Sequence, residues 1–232
     1  MKLLSENILF IFLAILIIFA TADILSKPQT PKKKTAKIKS DKKPMNKTAS
    51  VSEKKREFCN LVIPIIDKVH DELETQFDEI SKNLQNEEYE AVITELKKKY
   101  KADTDEELLM ALKPHPKSIA IAQAAIESAW AKSRFFKEAN NLYGIWSINK
   151  DKPRIAASQM RGENTIWLKK YSSLEESIRD YYKTLARSNA YQDFRELKMQ
   201  TDDPCELVKK LDKYSETGSK YTEDLNKIIQ YN

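Results

Sequence analysis

The segment from Ile119 to Trp146 constrains the fold of this chain more than any other. It reads IAIAQAAIESAWAKSRFFKEANNLYGIW and places one carboxylate, Glu127, among alanines, isoleucines and aromatics. At about 3.6 residues per turn, we expect Ala120, Ala124, Glu127 and Ala131 to share one helix face. A carboxyl group on such a face is partly withdrawn from water, which raises its pKa. Glu127 is therefore a candidate proton donor near neutral pH.

The amino terminus has the pattern of an export signal. Lys2 precedes an uninterrupted apolar run of 12 residues, Ile8 to Phe19, and a small-x-small site follows at Ala20-Thr21-Ala22. Residues 1–22 are therefore predicted to be a cleaved signal peptide. The alternative is an uncleaved anchor to the inner membrane formed by residues 8–25, although the run is shorter than the ~20 apolar residues of a typical span. In both cases we expect the rest of the chain to be exported to the periplasm or cell envelope.

Residues 23–56 are predicted to be a Lys-rich disordered linker. Within them, residues 27–56 hold twelve Lys or Arg and two acids, a net charge of +10. Residues 57–232 carry 27 basic and 31 acidic side chains, so the pI near 8.9 reflects the linker. For an exported chain we expect the linker to contact anionic lipid or an anionic wall polymer and not nucleic acid. The alternative is a solvated spacer.

The cysteines and histidines are few. Cys59 and Cys205 could form one disulfide, or each could be a free, partly apolar side chain in a helix. His70 and His115 are the only histidines, and no Cys or His pair has the spacing of a metal site. No metal or other cofactor is predicted.

Apolar periodicity predicts a fold that is mainly α with a small β-hairpin, an α+β class. Two amphipathic helices are expected at residues 58–84, with Pro64 as a kink or the true start, and at residues 89–100. A short helix is expected at 105–112, and Ser118 is expected to cap the helix that carries Glu127. Further expected elements are short strands at 145–148 and 165–171 around a turn at 161–164, and helices at 174–185, from Pro204 onward, and at 221–229. Residues 57–109 are predicted to be a helical extension.

Four motifs occur in a fixed order after this extension. They are Ala122-Gln123-Ala124-Ala125-Ile126-Glu127-Ser128-Ala129-Trp130 with Ser133-Arg134-Phe135, Asn140-Asn141-Leu142-Tyr143-Gly144, Tyr171 to Ser177 with Ala190-Tyr191, and Tyr214 to Tyr221. Together they resemble the peptidoglycan glucosaminidase domain of glycoside hydrolase family 73, and in particular its Bax-like bacterial members. The resemblance covers about residues 110–231, and residues 110–232 are predicted to be this domain.

The resemblance implies a lysozyme-like fold and hydrolysis of N-acetylglucosaminyl bonds in peptidoglycan glycan strands. It places Glu127 at the family's catalytic general acid and Tyr214 at its active-site tyrosine. The residues that it places near the sugar cleft, as expected substrate contacts, are Gln123, Trp130, Asn141, Tyr143 and Trp146. Trp130 is expected to pack beside the site more than to stack on a sugar.

The chain departs from the family pattern at two points. Ala131 stands where the family usually has glycine, and residues 154–160 lack the acid that many members place on the hairpin. Glu163 and Asp151 are nearby substitutes, and we expect either a water activated by Glu163 or assistance from the acetamido group of the substrate. The stereochemical outcome stays open. The alternative functions are a muramidase or lytic transglycosylase, and a catalytically inactive wall-binding module.

Overall fold

The computed structural model of the protein describes residues 50–161 and 164–231. The predicted signal peptide or anchor, the Lys-rich linker up to residue 49 and Glu163 lie outside the described residues. Within the described ranges, no helix combines the length and apolar character that crossing a membrane requires.

The first half of the described chain is helical. Its elements are α1 (Val51–Lys82), a 3-10 turn (Glu87–Tyr89), α2 (Glu90–Tyr100), α3 (Asp105–Leu112), α4 (Lys117–Glu127) and α5 (Arg134–Ala139). The second half contains β1 (Arg154–Arg161), β2 (Asn164–Lys169), α6 (Leu174–Arg187), a 3-10 turn (Asn189–Tyr191), α7 (Gln192–Leu197), α8 (Pro204–Leu207), a 3-10 segment (Val208–Tyr214) and α9 (Ser219–Tyr231). The predicted fold class, mainly α with a small β-hairpin, is confirmed.

Helix α1 is longer than the sequence indicated. It begins within the predicted linker, where the side chain of Ser50 accepts a hydrogen bond from the backbone of Glu53 at 3.2 Å and so caps the first turn. The helix continues through Pro64, so this residue is not its start. Its buried positions recur every three or four residues, which is the period of one apolar helix face. They include Phe58, Val62, Ile66 and Val69.

Helix α4 carries Glu127 as its last residue. It begins at Lys117, one residue before the expected cap, because Pro116 takes the capping position without a side-chain hydrogen bond. The expectation that Ser118 is the N-cap was therefore wrong. The expectation that Ala131 lies on the Glu127 face was also wrong, because the helix ends first and Ala131 has a φ of +62°.

The main core joins α1, α4 and α6. The buried face of α1 meets the fully buried Ile119, Ala120 and Ala124 of α4, while Ile178 and Tyr181 of α6 complete the same cluster. A second cluster lies between the end of α1, α2 and α3 and includes Ile80, Leu96 and Leu108. The helical extension before residue 110 thus supplies part of the core beneath the Glu127 helix.

The hairpin differs in position from its prediction. Strands β1 and β2 are antiparallel, with Arg154 opposite Lys169 and Ala156 opposite Trp167. Residues 145–148, expected as the first strand, form only one bridge, between Trp146 and Leu168. These residues run beside the outer edge of β2, which accounts for their strand-like apolar pattern.

Both cysteines are free, with Cys59 on α1 and Cys205 on α8. Of the two alternatives, the structure therefore contains the one without a disulfide.

Phe58 tests whether α1 belongs to the core of the Glu127 domain. Its ring is 0% exposed and lies edge-on to Trp130 at 5.3 Å. We expect Phe58→Ala to lower the free energy of unfolding by about 3–5 kcal/mol, since it removes a buried ring and leaves a cavity. The control Leu61→Ala, on the same helix but 38% exposed, should cost less than about 1 kcal/mol. Equal losses in urea unfolding would contradict this packing.

Candidate active site

Glu127 lies at the carboxyl end of α4, where the helix dipole presents its negative end. A carboxylate at that position is disfavoured by the unpaired carbonyl groups of the last turn. Its side chain is partly exposed, so solvent or a ligand can reach it. Burial raises the pKa of Glu127 to about 7, and a hydrogen bond from Tyr221 opposes part of that rise. The carboxyl group is therefore about half protonated at neutral pH.

Tyr221 and Gln123 hold the carboxyl group from the inner side. Tyr221, on α9, hydrogen-bonds to Glu127, and its hydroxyl oxygen accepts from Nε2 of Gln123 at 2.9 Å. Gln123 lies one turn before Glu127 on α4 and is 0% exposed. Because both partners are fixed within the core, the carboxyl group has a defined orientation while its outer side stays accessible.

Gly144 approaches the carboxyl group from the turn after α5. A Cβ atom built on Gly144 would lie 3.3 Å from Oε2 of Glu127, and its φ of +66° favours glycine. Asn141 fixes this turn, because its side chain donates to the carbonyls of Ile145 and Lys169 and accepts from the backbone N–H of Ile145. The Asn-Asn-Leu-Tyr-Gly motif therefore brings bare backbone against the carboxylate.

A left-handed turn follows Glu127 directly. Ala129, Trp130 and Ala131 have φ values of +50°, +56° and +62°, a conformation that costs L-residues about 1–2 kcal/mol each. Ser128 holds the turn, because its hydroxyl donates to the carbonyl of Ala124 at 2.6 Å and accepts from the N–H of Ala131 at 2.9 Å. The turn reverses the chain at once and leaves Glu127 at an open helix end.

Tyr214 lies on the same side of the site. Its ring is stacked on Tyr221 with a centroid separation of 5.8 Å, and its hydroxyl donates to the carbonyl of Tyr143 at 2.9 Å. Burial and the nearby Glu127 carboxyl raise the pKa of Tyr214 well above its usual value. In this arrangement Tyr214 joins the turn that carries Gly144 to the helix that carries Tyr221.

The expected substrate-contact residues separate into two groups. Gln123, Asn141 and Tyr143 are at most 1% exposed, and Tyr143 is stacked on Tyr181 at 3.8 Å. In this structure the three side chains are enclosed by protein and lie beneath the site. Their contact with substrate stays a prediction.

The two tryptophans, Trp130 and Trp146, differ in how far their rings are exposed. Trp130 is partly buried between the ring of Phe58 and the ammonium group of Lys55, which lies 4.8 Å from its ring centroid. It fixes the left-handed turn onto α1. Trp146 is 51% exposed and remains the stronger candidate for a sugar-stacking ring.

Glu163 and Asp151 were the acids expected near the hairpin as candidates for a second catalytic group. Glu163 lies outside the described residues. Asp151 is exposed, in the loop before β1, and its backbone N–H donates to the side chain of Asn149. The choice between a carboxylate and the acetamido group of the substrate stays open.

Tyr191 and Tyr221 were missed as site residues by the sequence analysis. Both border Glu127, and burial together with the nearby Glu127 carboxyl group raises the pKa of each. The only signal was their place inside quoted motifs, because a tyrosine on an apolar helix face has the same pattern whether it packs or faces a site.

One group among the described residues could hold a metal ion: His70, Asp71 and Glu74 on α1. The spacing of Cys and His residues alone does not reveal this group, because two of its three members are carboxylates. Lys117 already binds Asp71 at 3.2 Å, and Asp71 and Glu74 are exposed whereas His70 is buried.

The region that contains Glu127 is similar to known proteins. A family model described as mannosyl-glycoprotein endo-beta-N-acetylglucosaminidase matches residues 107–232. The protein bax of Escherichia coli K12 is 28% identical over 123 residues, which are 50% of this chain and 43% of that protein. The chain thus spans less than half the length of this relative.

Two solved structures are also similar. A peptidoglycan hydrolase from Sphingomonas sp. A1 has a TM-score of 0.44 at 22% identity and covers 55% of this chain and 83% of its own. The catalytic domain of the autolysin Auto from Listeria monocytogenes has a TM-score of 0.46 at 22% identity and covers 78% and 86%. These scores are low, and neither likeness supports a function.

The raised pKa of Glu127 predicts a pH-dependent loss of stability. Its ordinary value of 4.5 applies to the unfolded chain, and its folded value is about 7. Well below pH 4.5, Glu127 is protonated in both the folded and the unfolded chain. As the pH rises past 4.5, the unfolded chain loses this proton first, so the free energy of unfolding falls. The fall ends once the pH has passed the folded pKa. Relative to wild type, Glu127→Gln should gain up to about 3 kcal/mol between pH 4 and pH 8. Parallel stability curves for the two proteins would exclude a raised pKa.

Gly144 predicts a loss of activity that backbone strain alone does not cause. Gly144→Ala and Gly218→Ala both place a side chain at positive φ, +66° and +54°. Each should lower the free energy of unfolding by about 1 kcal/mol. Only the Gly144 methyl meets the Glu127 carboxylate, since nothing lies within 4 Å of a Cβ on Gly218. We expect at least about a tenfold larger loss of cell-wall cleavage for Gly144→Ala; equal losses would mean that the close approach has no role.

Proposed function

We propose, from the premise that this chain belongs to the glucosaminidase family, glycoside hydrolase family 73, that it cleaves N-acetylglucosaminyl bonds in the glycan strands of peptidoglycan. The observation that carries the proposal is the partly exposed carboxyl group of Glu127, whose burial raises its pKa to about 7. A glycosidase needs an acid that keeps its proton until the leaving oxygen arrives. Glu127 lies within the region matched by the family model.

In the proposed reaction, the Glu127 carboxyl group gives its proton to the glycosidic oxygen as the bond from that oxygen to the anomeric carbon breaks. Water then supplies a hydroxyl group to the anomeric carbon, and its remaining proton returns to the enzyme or to solvent. The Tyr221 hydroxyl, which hydrogen-bonds to Glu127, stabilises the carboxylate that the transfer leaves behind. This explains why a hydrogen bond that lowers the pKa is useful beside an acid whose burial raises it.

The second group acts on the opposite face of the sugar. One candidate is a water activated by Glu163, and the other is the acetamido oxygen of the substrate, which needs no second carboxylate. Glu163→Gln separates them, because it should abolish activity in the first case and leave most of it in the second.

Tyr214 is proposed to act by holding the site together. Its hydroxyl donates to the Tyr143 carbonyl at 2.9 Å, so Tyr214→Phe would loosen the turn that carries Gly144. The loss of one buried hydrogen bond costs about 1–3 kcal/mol. A catalytic contact with the sugar, as the family resemblance implies, would require this hydroxyl to change partner when substrate binds.

The proposed setting is the cell envelope. Hydrolysis of peptidoglycan requires export, which the pattern of residues 1–22 provides. The Lys-rich linker, with a net charge of +10 over residues 27–56, would hold the domain near anionic lipid or an anionic wall polymer. Peptidoglycan strands are the proposed substrate.

Glu127→Gln in the full chain tests the catalytic proposal. It should lower the release of soluble fragments from purified peptidoglycan by about 10²- to 10⁴-fold, since the amide cannot donate the proton. The matched control is Glu138→Gln, because Glu138 is an exposed acid on the neighbouring helix α5, paired with Arg134. It should retain wild-type activity.

Mass analysis of the fragments decides which bond is cut. The proposal predicts new reducing ends of N-acetylglucosamine. Reducing muramic ends would identify a muramidase, and anhydro ends a lytic transglycosylase, which needs only one acid. Binding to insoluble peptidoglycan with no fragment release would identify a wall-binding module.

A further inference from the structure

A line of buried polar side chains leads inward from Glu127. It passes through Tyr221, Gln123 and Tyr181 and ends at His115. Gln123 Nε2 lies 2.9 Å from Tyr221 Oη, Gln123 Oε1 lies 2.6 Å from Tyr181 Oη, and Tyr181 Oη lies 3.1 Å from His115 Nε2. Gln123 and Tyr181 are 0% exposed and His115 is 1% exposed. The line therefore connects the site to a histidine in the core.

The hydrogen atoms in such a line must all point the same way. Each tyrosine hydroxyl has one hydrogen to donate, and the amide of Gln123 donates from one side and accepts on the other. In one direction, each group donates toward Glu127 and the last hydroxyl donates to its carboxylate. In the other, a protonated Glu127 donates to Tyr221 and each group donates toward His115. The Gln123 amide has the orientation of the first direction in the structure, with Nε2 on Tyr221 and Oε1 on Tyr181. A 180° rotation of this amide gives the second direction without moving the other heavy atoms.

His115 favours the second direction. Its Nδ1 lies 3.1 Å from the carbonyl oxygen of Pro116, which can only accept, so this contact requires a hydrogen on Nδ1. Burial and the nearby Lys198 lower the pKa of His115 to about 3, so the ring is neutral. A neutral ring with its hydrogen on Nδ1 presents a bare Nε2, which accepts from Tyr181. The direction that satisfies both ring nitrogens is thus the second one. It ends on a protonated Glu127 and requires the Gln123 amide to turn by 180° from its orientation in the structure.

Other titratable groups lie near both Glu127 and His115. Tyr191, Tyr214 and Tyr221 face Glu127, and the pKa of each is raised, so they stay neutral. His115 faces Lys198 and His70. The pKa of Lys198 is lowered to about 7 by burial, so the experiment must read the Glu127 carboxyl group itself.

We propose that His115 is a positioning residue that favours the protonated form of Glu127 through Tyr181, Gln123 and Tyr221. Its catalytic meaning rests on the proposed function, whereas the coupling between the two ends does not. Gln123, expected from the sequence to contact substrate, then serves as the element that transmits the direction of hydrogen bonding.

Tyr181→Phe in the full chain interrupts the line with the loss of one hydroxyl group. Gln123 then places its amide hydrogens on Tyr221, because leaving them toward the phenyl ring would leave two buried donors unpaired. The pH at which Glu127 loses its proton should fall by about one unit. The readout is the infrared band of the protonated carboxyl group, identified by its absence in Glu127→Gln. The basic limb of the kcat/KM profile should shift equally.

Tyr182→Phe is the matched control. Tyr182 is adjacent and buried, and its ring is stacked on His115 at 4.7 Å, but its hydroxyl has no hydrogen-bond partner among the described residues. Removing that hydroxyl should leave the Glu127 titration unchanged. His115→Leu should shift it as Tyr181→Phe does, and the double variant should shift it no further, because both changes break one line.

An unchanged Glu127 titration in folded Tyr181→Phe would overturn the proposal, as would shifts that add in the double variant or an equal shift in Tyr182→Phe. If the predicted shifts occur but the wild-type chain releases no fragments from peptidoglycan, the coupling stands and the proposed function fails. The two conclusions are therefore separable.

Discussion

The withdrawal of one carboxyl group from water is the interaction on which the rest of this site depends. Desolvation raises the pKa of Glu127 to about 7, a change of about 3 kcal/mol in favour of the protonated form. That free energy opposes folding above the ordinary pKa of a glutamate. It can be sustained only because the surrounding helices are held rigidly by other contacts.

Three parts of the fold supply that rigidity. Helix α1 packs Phe58, Val62 and Ile66 beneath the small residues of α4, which fixes the helix that carries Glu127. Ser128 holds the left-handed turn that ends this helix without covering its last residue. Asn141 holds the turn that places Gly144 against the carboxylate. The acid is therefore enclosed by backbone and tyrosine rings on its inner side and open on the other.

The sequence predicted the helices well because apolar spacing and capping chemistry are local. It singled out Glu127 as a candidate acid because this carboxylate lies alone among alanines, isoleucines and aromatics, and the ordered motifs indicated the family. It misplaced the first strand, because residues 145–148 have the apolar alternation of a strand but form only one bridge to β2. It did not indicate that Gln123, Asn141 and Tyr143 are buried, since a motif records which residues occur and not how exposed they are. Tyr221 could not be distinguished from a core tyrosine until α9 was seen against α4.

The most direct test of this account is a carbon-13 NMR titration of the Glu127 side-chain carboxyl in the wild-type chain, assigned by comparison with Glu127→Gln. The account predicts a midpoint near pH 7, as expected for an acid desolvated by its surroundings. A midpoint near 4.5, the ordinary value for glutamate, would show that the carboxyl group is fully solvated. It would then have no proton to give at neutral pH, and the proposed mechanism would be contradicted.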